Sequence, residues 1–337
     1  MGHSTDARVS KRNWPAAKDG GGLASFINTV PETVVANRRN ALPFSKGLMA
    51  QSLSASGLPL DQAYALARII EQRLNGRRRS SVEVEELRAV AEEVLAEHAG
   101  ERAVQRFHDW QRLDRLDRPL IVLLAGTAGV GKSTLATMLA NRIGLTRVIP
   151  TDAIREVLRA SFSHAVLPAV HYSSFEASAA VALNPGRNGD NDLAGFARQA
   201  EAVAAGVEAI LERALRESVG LIVEGVHLVP GMLPSELKRR AILVEALIVV
   251  EGRRQHQAHF SQRGGQRPAE RYLRSLPQIR KLQDFLVERA RVHGVSVIEN
   301  ASLDLTLGEV MELVLETVRL SGGCEDRRSR VVLQGRS

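Results

Sequence analysis

Residues Gly126-Thr127-Ala128-Gly129-Val130-Gly131-Lys132-Ser133 fit the pattern G-x-x-x-x-G-K-[ST], with Thr134 next in line. Glycines at these places let backbone N–H groups close around phosphate oxygens. The lysine reaches the β- and γ-phosphates, and the serine hydroxyl is a ligand for Mg²⁺. The chemistry expected of residues 126–134 is therefore binding of a nucleoside triphosphate, with ATP and Mg²⁺ as the ligands. A glycine-rich turn with no ligand is the bland alternative, and the flanking sequence argues against it.

Other residues here carry charge in suggestive places. Thr151-Asp152-Ala153-Ile154-Arg155 follows an apolar stretch. Asp152 is either a plain helix N-cap or a carboxylate that orients an acceptor hydroxyl and takes its proton. Arg155, one helical turn on, is placed to clamp an anion. Glu224 ends the apolar run Leu221-Ile222-Val223. It reads as a surface carboxylate or as the acidic group that serves Mg²⁺ beside Ser133. His227 follows three residues later, structural or functional. Residues 160–192 are polar and irregular and include Ser161, Ser163, His164, His171, Tyr172, Ser173, Ser174 and Glu176. Asn184-Pro185-Gly186 and Asn188-Gly189-Asp190 mark turns within them. Such an insertion builds an acceptor pocket or forms a surface loop. An arginine-dense segment holds Arg253, Arg254, Arg263, Arg267, Arg271, Arg274 and Arg280, with Gly264-Gly265 as a possible hinge. Arg263, Arg267 and Arg271 are the candidates for a lid that brings charge to a transferring phosphoryl group. The histidines lack zinc-ligand spacing, and no structural metal is expected.

These residues need a frame. Pro119 precedes the apolar run 120–125, and after the loop Leu135, Met138, Leu139 and Ile143 recur at helical spacing. Further strands are expected at 147–150, 220–224, 244–250 and 295–299, with helices at 193–217 and 268–292. Alternating strands and helices predict an α/β domain, a five-stranded parallel sheet covered by helices on both faces, over 119–320. Ligands of such sheets bind at the carboxyl ends of the strands, where Asp152 and Glu224 fall. Residues 1–30, with Gly20-Gly21-Gly22, read as a loosely ordered segment. A small mostly helical module is expected over 31–108. Its parts are a hairpin across Asn37-Arg38-Arg39-Asn40, helices at 45–55 and 59–74, and a third helix with Ser81 as its N-cap. A linker over 109–118 and a polar tail over 321–337 complete the division.

Composition excludes little. The 337 residues carry a net charge of +7, but only six of the 45 basic residues are lysines, so the chain is arginine-rich throughout. Arg77-Arg78-Arg79 and Arg327-Arg328 lack interleaved aromatics, and aromatics are 4% of the chain, a poor supply of base-stacking platforms. Nucleic acid is disfavoured as a partner. No apolar run approaches the roughly 20 residues of a membrane helix, and no secretory leader is evident. The single cysteine, Cys324, fits a cytoplasmic protein.

The loop, the Thr-Asp-x-Ile-Arg run, His171-Tyr172-Ser173-Ser174-Phe175-Glu176, Glu224-Gly225-Val226-His227-Leu228-Val229-Pro230-Gly231 and Ile279-Arg280-Lys281-Leu282-Gln283 together resemble the 2-phosphoglycerate kinase family over about residues 118 to 320. The resemblance implies a P-loop kinase fold and transfer of the ATP γ-phosphoryl to the 3-hydroxyl of 2-phosphoglycerate. It implies Asp152 as the base beside Lys132 and Arg155. Arg155, His171, Ser173, Ser174, His227 and Arg280 become binders of the acceptor, and Asn300 a neighbour of the adenine. Residues 33–98 are similar to an ATP-cone, through Pro43-Phe44-Ser45-Lys46-Gly47-Leu48 and Ser52-Leu53 with Gly57-Leu58. They depart from it at Arg38-Arg39-Asn40. The residues by themselves leave open a kinase for another anionic metabolite or a nucleic-acid end, and a non-catalytic nucleotide-binding regulator. They do not bear on the oligomeric state.

Overall fold

The computed structural model describes residues 34–37, 40–76, 81–113, 116–181, 191–261 and 269–334. Arg38 and Arg39, the 77–79 arginine run, the turns at 184–190, and Arg263, Gly264, Gly265 and Arg267 lie outside the described residues, as does the segment 1–30.

The described residues begin with a small unit. Strands β1 (Val34–Asn37) and β2 (Asn40–Pro43) pair antiparallel, and β3 (Ser81–Glu83) joins β1 in parallel. Helices α1 (Lys46–Ala55), α2 (Leu60–Gly76), α3 (Val84–Ala99) and α4 (Glu101–Leu113) pack beside them. Ser45 caps α1 by accepting the Leu48 N–H at 3.3 Å. In α2 the buried residues are Ala63, Leu66, Ala67, Ile70 and Leu74, the stripe that a half-buried helix requires. They meet Leu53, Val90, Val94, Leu95 and Phe107 in one core.

Two expectations are corrected here. Ser81 does not cap the third helix: it lies in β3, and α3 starts after Glu83, whose side chain makes no cap bond. Alternation of exposed and buried residues over Ser81-Val82-Glu83 competes with the capping signal, and pairing to β1 wins. The stretch 109–118 is helical as far as Leu113. Trp110 and Leu113 pack against the core of the next unit, with Leu116 beside them.

That unit is a five-stranded parallel sheet. Its elements are β4 (Leu120–Ala125), α5 (Lys132–Ile143), β5 (Val148–Pro150), α6 (Thr151–Ser161), α7 (Asn191–Glu217), β6 (Leu221–Gly225), α8 (Leu237–Arg240), β7 (Ile242–Val249), α9 (Arg253–Ser261), α10 (Ala269–Arg274), α11 (Leu276–His293), β8 (Ser296–Glu299) and α12 (Leu303–Gln334). Strand order is β5-β6-β4-β7-β8. All six residues of β4 are buried, so their apolar run answers to helices on both faces. Ile121, Leu123 and Ala125 face α7 and α11 through Phe196, Val203, Leu282 and Leu286. Leu120, Val122 and Leu124 face α5 and α12 through Leu135, Leu139, Val310 and Val314. The segment expected as one helix over 268–292 is broken at Ser275 into α10 and α11. Short 3₁₀ turns at Pro168–His171 and Ser174–Ala180 give form to part of the polar insertion.

From β4 the chain passes through α5 to β5 and β6 on one side, and later to β7 and β8 on the other. The loop after β4 therefore opens at the crevice where the connections diverge, the usual ligand position in such sheets.

Candidate active site

The loop 126–131 joins the central strand to α5, whose first residue is Lys132. The helix thus starts inside the motif, and its unpaired N–H groups and positive dipole end face the loop. Lys132 Nζ lies 3.5 Å from the Thr127 carbonyl and 3.6 Å from Glu224 Oε2. Ser133 Oγ donates to Glu224 Oε1 at 2.8 Å. Glu224 is nearly the last residue of β6 and is 5% exposed. The Thr127 hydroxyl is buried without a hydrogen bond inside the protein. An inward polar atom left without a protein partner, beside a lysine and a serine–carboxylate pair, fits a phosphate with a hard cation.

Asn300 follows β8. Its amide nitrogen donates to the Val130 carbonyl at 2.8 Å, and its amide oxygen accepts from Thr306 Oγ1 at 3.0 Å. It is 3% exposed. Its polar atoms bond the loop and α12, so it braces the loop.

At the end of β5, Asp152 lies in the first turn of α6 with its side chain 58% exposed. Arg155 Nε stands 3.6 Å from the Asp152 carboxylate. Its Nη1 donates to the Val170 carbonyl at 2.8 Å, and Nη2 bonds Glu156. Arg155 thereby ties α6 to the 168–171 turn. His171 donates from Nε2 to the Phe162 carbonyl at 3.0 Å. Arg271, on α10, donates to Ser173 Oγ at 2.9 Å, pairs with Glu176 and lies over the Phe175 ring at 5.8 Å. The Glu176 carboxylate beside it raises its pKa further. Ser174 follows Ser173 as the first residue of the Ser174–Ala180 turn. Arg280, on α11, donates to the Val250 carbonyl at 3.3 Å, which also accepts from Gln283 at 3.0 Å. It sits just past the end of β7.

His227 is the clearest departure from expectation. It is 2% exposed and both ring nitrogens are engaged inside the protein. Gln199 of α7 donates from its amide nitrogen to the carbonyls of Ala169 (2.6 Å) and Tyr172 (2.9 Å). Carbonyls only accept, so the Gln199 oxygen must face His227 Nε2, at 3.0 Å. Nε2 then carries the proton, and Nδ1 accepts from Thr151 Oγ1 at 2.8 Å. Gly225 (φ +155°) makes room: a Cβ there would fall 1.8 Å from that hydroxyl. Burial pushes the His227 pKa down to about 4; Asp152 opposes this, while Arg155 and Lys132 assist it. The ring is a neutral internal strut rather than an anion ligand. Gln199 and Thr151 were not anticipated. The only trace of Gln199 in the sequence is a polar residue on the apolar stripe of α7.

A phosphate loop at the end of a central parallel strand, with a buried carboxylate ending the adjacent strand and bonded to the loop serine, defines a P-loop nucleotide-binding α/β protein. The 2-phosphoglycerate kinase of Pyrococcus furiosus is 37% identical over 277 residues, 82% of this chain and 90% of its own. That of Thermococcus kodakarensis is 37% identical over 85% of this chain and 97% of its own, and that of Methanopyrus kandleri 34% over 83% and 86%. The chain belongs to the 2-phosphoglycerate kinase family. No family model matches it. A gluconokinase from Sinorhizobium meliloti (16% identity, TM-score 0.32, 62% of this chain and 97% of that one) and a shikimate kinase from Acinetobacter baumannii (15%, 0.33, 60% and 97%) are distantly similar solved structures. Among the described residues no helix is long and apolar enough to cross a membrane.

Proposed function

We propose that this chain transfers the γ-phosphoryl group of ATP to the 3-hydroxyl of 2-phosphoglycerate, giving 2,3-bisphosphoglycerate and ADP. The observation that carries this reading is the strand-end arrangement. The phosphate loop with Glu224 occupies the ends of β4 and β6, and the Asp152–Arg155 pair occupies the end of β5 beside them. Residues 119–320 hold the whole of this chemistry, and the unit before them docks on it.

Residues 126–134 bind the triphosphate, and Asn300 braces their loop. Lys132 leaves Glu224 to neutralise the β- and γ-phosphates. Ser133 and Glu224 would hold Mg²⁺, which when bound offsets charge on the transferring phosphoryl group. Arg155, Ser173, Ser174 and His171 line the acceptor side, with Arg280 and the lid arginine Arg271 to meet its phosphate and carboxylate. Arg263 and Arg267 remain candidates for the same lid. Asp152 accepts the proton of the acceptor hydroxyl as its oxygen bonds to the γ-phosphorus and the bond to ADP breaks. Catalysis here is positioning and charge neutralisation.

The test is purified protein with ATP, Mg²⁺ and a panel of phosphoglycerates, with the product identified by mass spectrometry. A bisphosphorylated product from 2-phosphoglycerate, lost in Lys132→Ala, is the expected result. ADP release that does not depend on 2-phosphoglycerate would sink the acceptor assignment.

A further inference from the structure

Helix α9 touches the phosphate loop through two histidines three residues apart. His256 Nε2 lies 2.8 Å from the Ala128 carbonyl, and His259 Nδ1 lies 2.9 Å from the Gly129 carbonyl. A carbonyl oxygen only accepts, so each of these nitrogens carries a proton. The two rings are therefore held with opposite nitrogens protonated: Nε2 on His256 and Nδ1 on His259. The loop packs against this helix. Gly129 (φ +87°) has no room for a side chain, because a Cβ would fall 2.5 Å from the Phe260 ring and 3.0 Å from His256. His256 stacks on Phe260 with centroids 5.2 Å apart, and Phe260 stacks on Tyr272 of α10 at 5.1 Å. His256 is fully buried.

The peptide bond is a planar trans unit, so its C=O and N–H point opposite ways. Fixing the Ala128 carbonyl fixes the Gly129 N–H in the opposite direction. Fixing the Gly129 carbonyl does the same for the Val130 N–H. These are the amides of a loop whose glycines exist to turn N–H groups toward phosphate. We propose that His256 and His259 are positioning residues for nucleotide binding: each donates from one defined ring nitrogen to a loop carbonyl and so aims the next amide at the phosphates. This rests on the reading that the loop binds ATP. It adds a requirement outside the motif itself, on the helix that leads away from β7.

The full-length protein tests it through paired amide substitutions. A Gln amide nitrogen replaces Nε2, and an Asn amide nitrogen replaces Nδ1. His256→Gln and His259→Asn should keep the MgATP dissociation constant, measured by calorimetry, within about twofold of wild type. His256→Asn and His259→Gln should weaken it by about tenfold, the scale of one lost hydrogen bond. In the kinase assay the loss should fall on the ATP KM and leave the acceptor KM unchanged. If the two amides behave alike at each position, the residues only fill space and the proposal fails. Wild-type protein that does not bind ATP would instead overturn the loop reading. Should a variant fail to fold, the ring ¹⁵N spectrum of the wild-type protein decides. Protonation at Nε2 of His256 and Nδ1 of His259 is expected, and the reverse at either ring overturns the proposal.

Discussion

Glu224 illustrates how one buried charge constrains the chemistry around it. Its carboxylate accepts the Ser133 hydroxyl and sits 3.6 Å from Lys132. Once Lys132 turns to a triphosphate, the carboxylate loses its cation in a nearly solvent-free place, which is costly unless another cation replaces it. Glu224→Gln should therefore lower kcat by about 10²–10³ and raise the Mg²⁺ concentration for half-maximal activity. A normal Mg²⁺ titration in that variant would remove Glu224 from the cation site. Asp152, exposed and beside Arg155, carries a different demand. Asp152→Asn keeps the shape but removes the proposed proton acceptor, so kcat should fall by about 10²–10⁴ while the ATP dissociation constant holds. Equal turnover would show that the hydroxyl loses its proton elsewhere. Both residues stand out in sequence because each is an acid at or just past the end of a strand. His227 was legible only as a position. Its role needs Gln199, 28 residues earlier on another element, and no local pattern announces that pairing.

At the scale of elements, the Thr151–His227–Gln199 chain fixes three pieces against one another. Thr151 starts α6, the helix that carries Asp152 and Arg155. His227 follows β6, and Gln199 holds the carbonyls at 169 and 172 beside the proposed acceptor residues. The chain works with a neutral imidazole. The His227 pKa is about 4 in the folded protein against an ordinary value of 6.5, so the unfolded chain binds the extra proton first. The stabilisation is complete above about pH 6.5 and is lost as pH falls toward 4, reaching on the order of 3 kcal/mol. Urea unfolding measured between pH 7 and pH 4 should show this slope, and His227→Gln should flatten it. An unchanged slope in that variant would place the titrating group elsewhere. Gln199→Leu removes the side-chain donor to the Ala169 and Tyr172 carbonyls, of which Ala169 keeps the Tyr172 N–H, and leaves the His227 N–H without its acceptor. It should cost about 1–3 kcal/mol and raise the acceptor KM without moving ATP affinity.

The sheet itself was readable because β4 and the first three residues of β6 are apolar runs between punctuating residues, and strand identity follows from local sequence. The link between the two units was not readable. Helix α4 looks like a polar connector, since Ala103, Phe107, Trp110 and Leu113 are sparse among charged neighbours. Their spacing makes one helical stripe, but only tertiary packing shows that two cores share it. Ala103 and Phe107 sit in the first core and Trp110 and Leu113 in the second. Between them Asp109, 2% exposed, takes a hydrogen bond from Gln105 at 3.2 Å and lies 3.6 Å from Arg319 of α12. Arg142 of α5 adds a bond to the Ser54 carbonyl at 3.0 Å. A helix shared by two cores transmits the unfolding of one to the other. In a Trp14→Phe background Trp110 is the only indole, because the chain has two tryptophans. Its fluorescence and the helical circular dichroism should then give coincident urea transitions. Asp109→Ala removes the charged acceptor at the junction and should shift both transitions together by about 2 kcal/mol. Two separated transitions, with only one moved by Asp109→Ala, would mean that the units fold independently and that α4 is a tether after all.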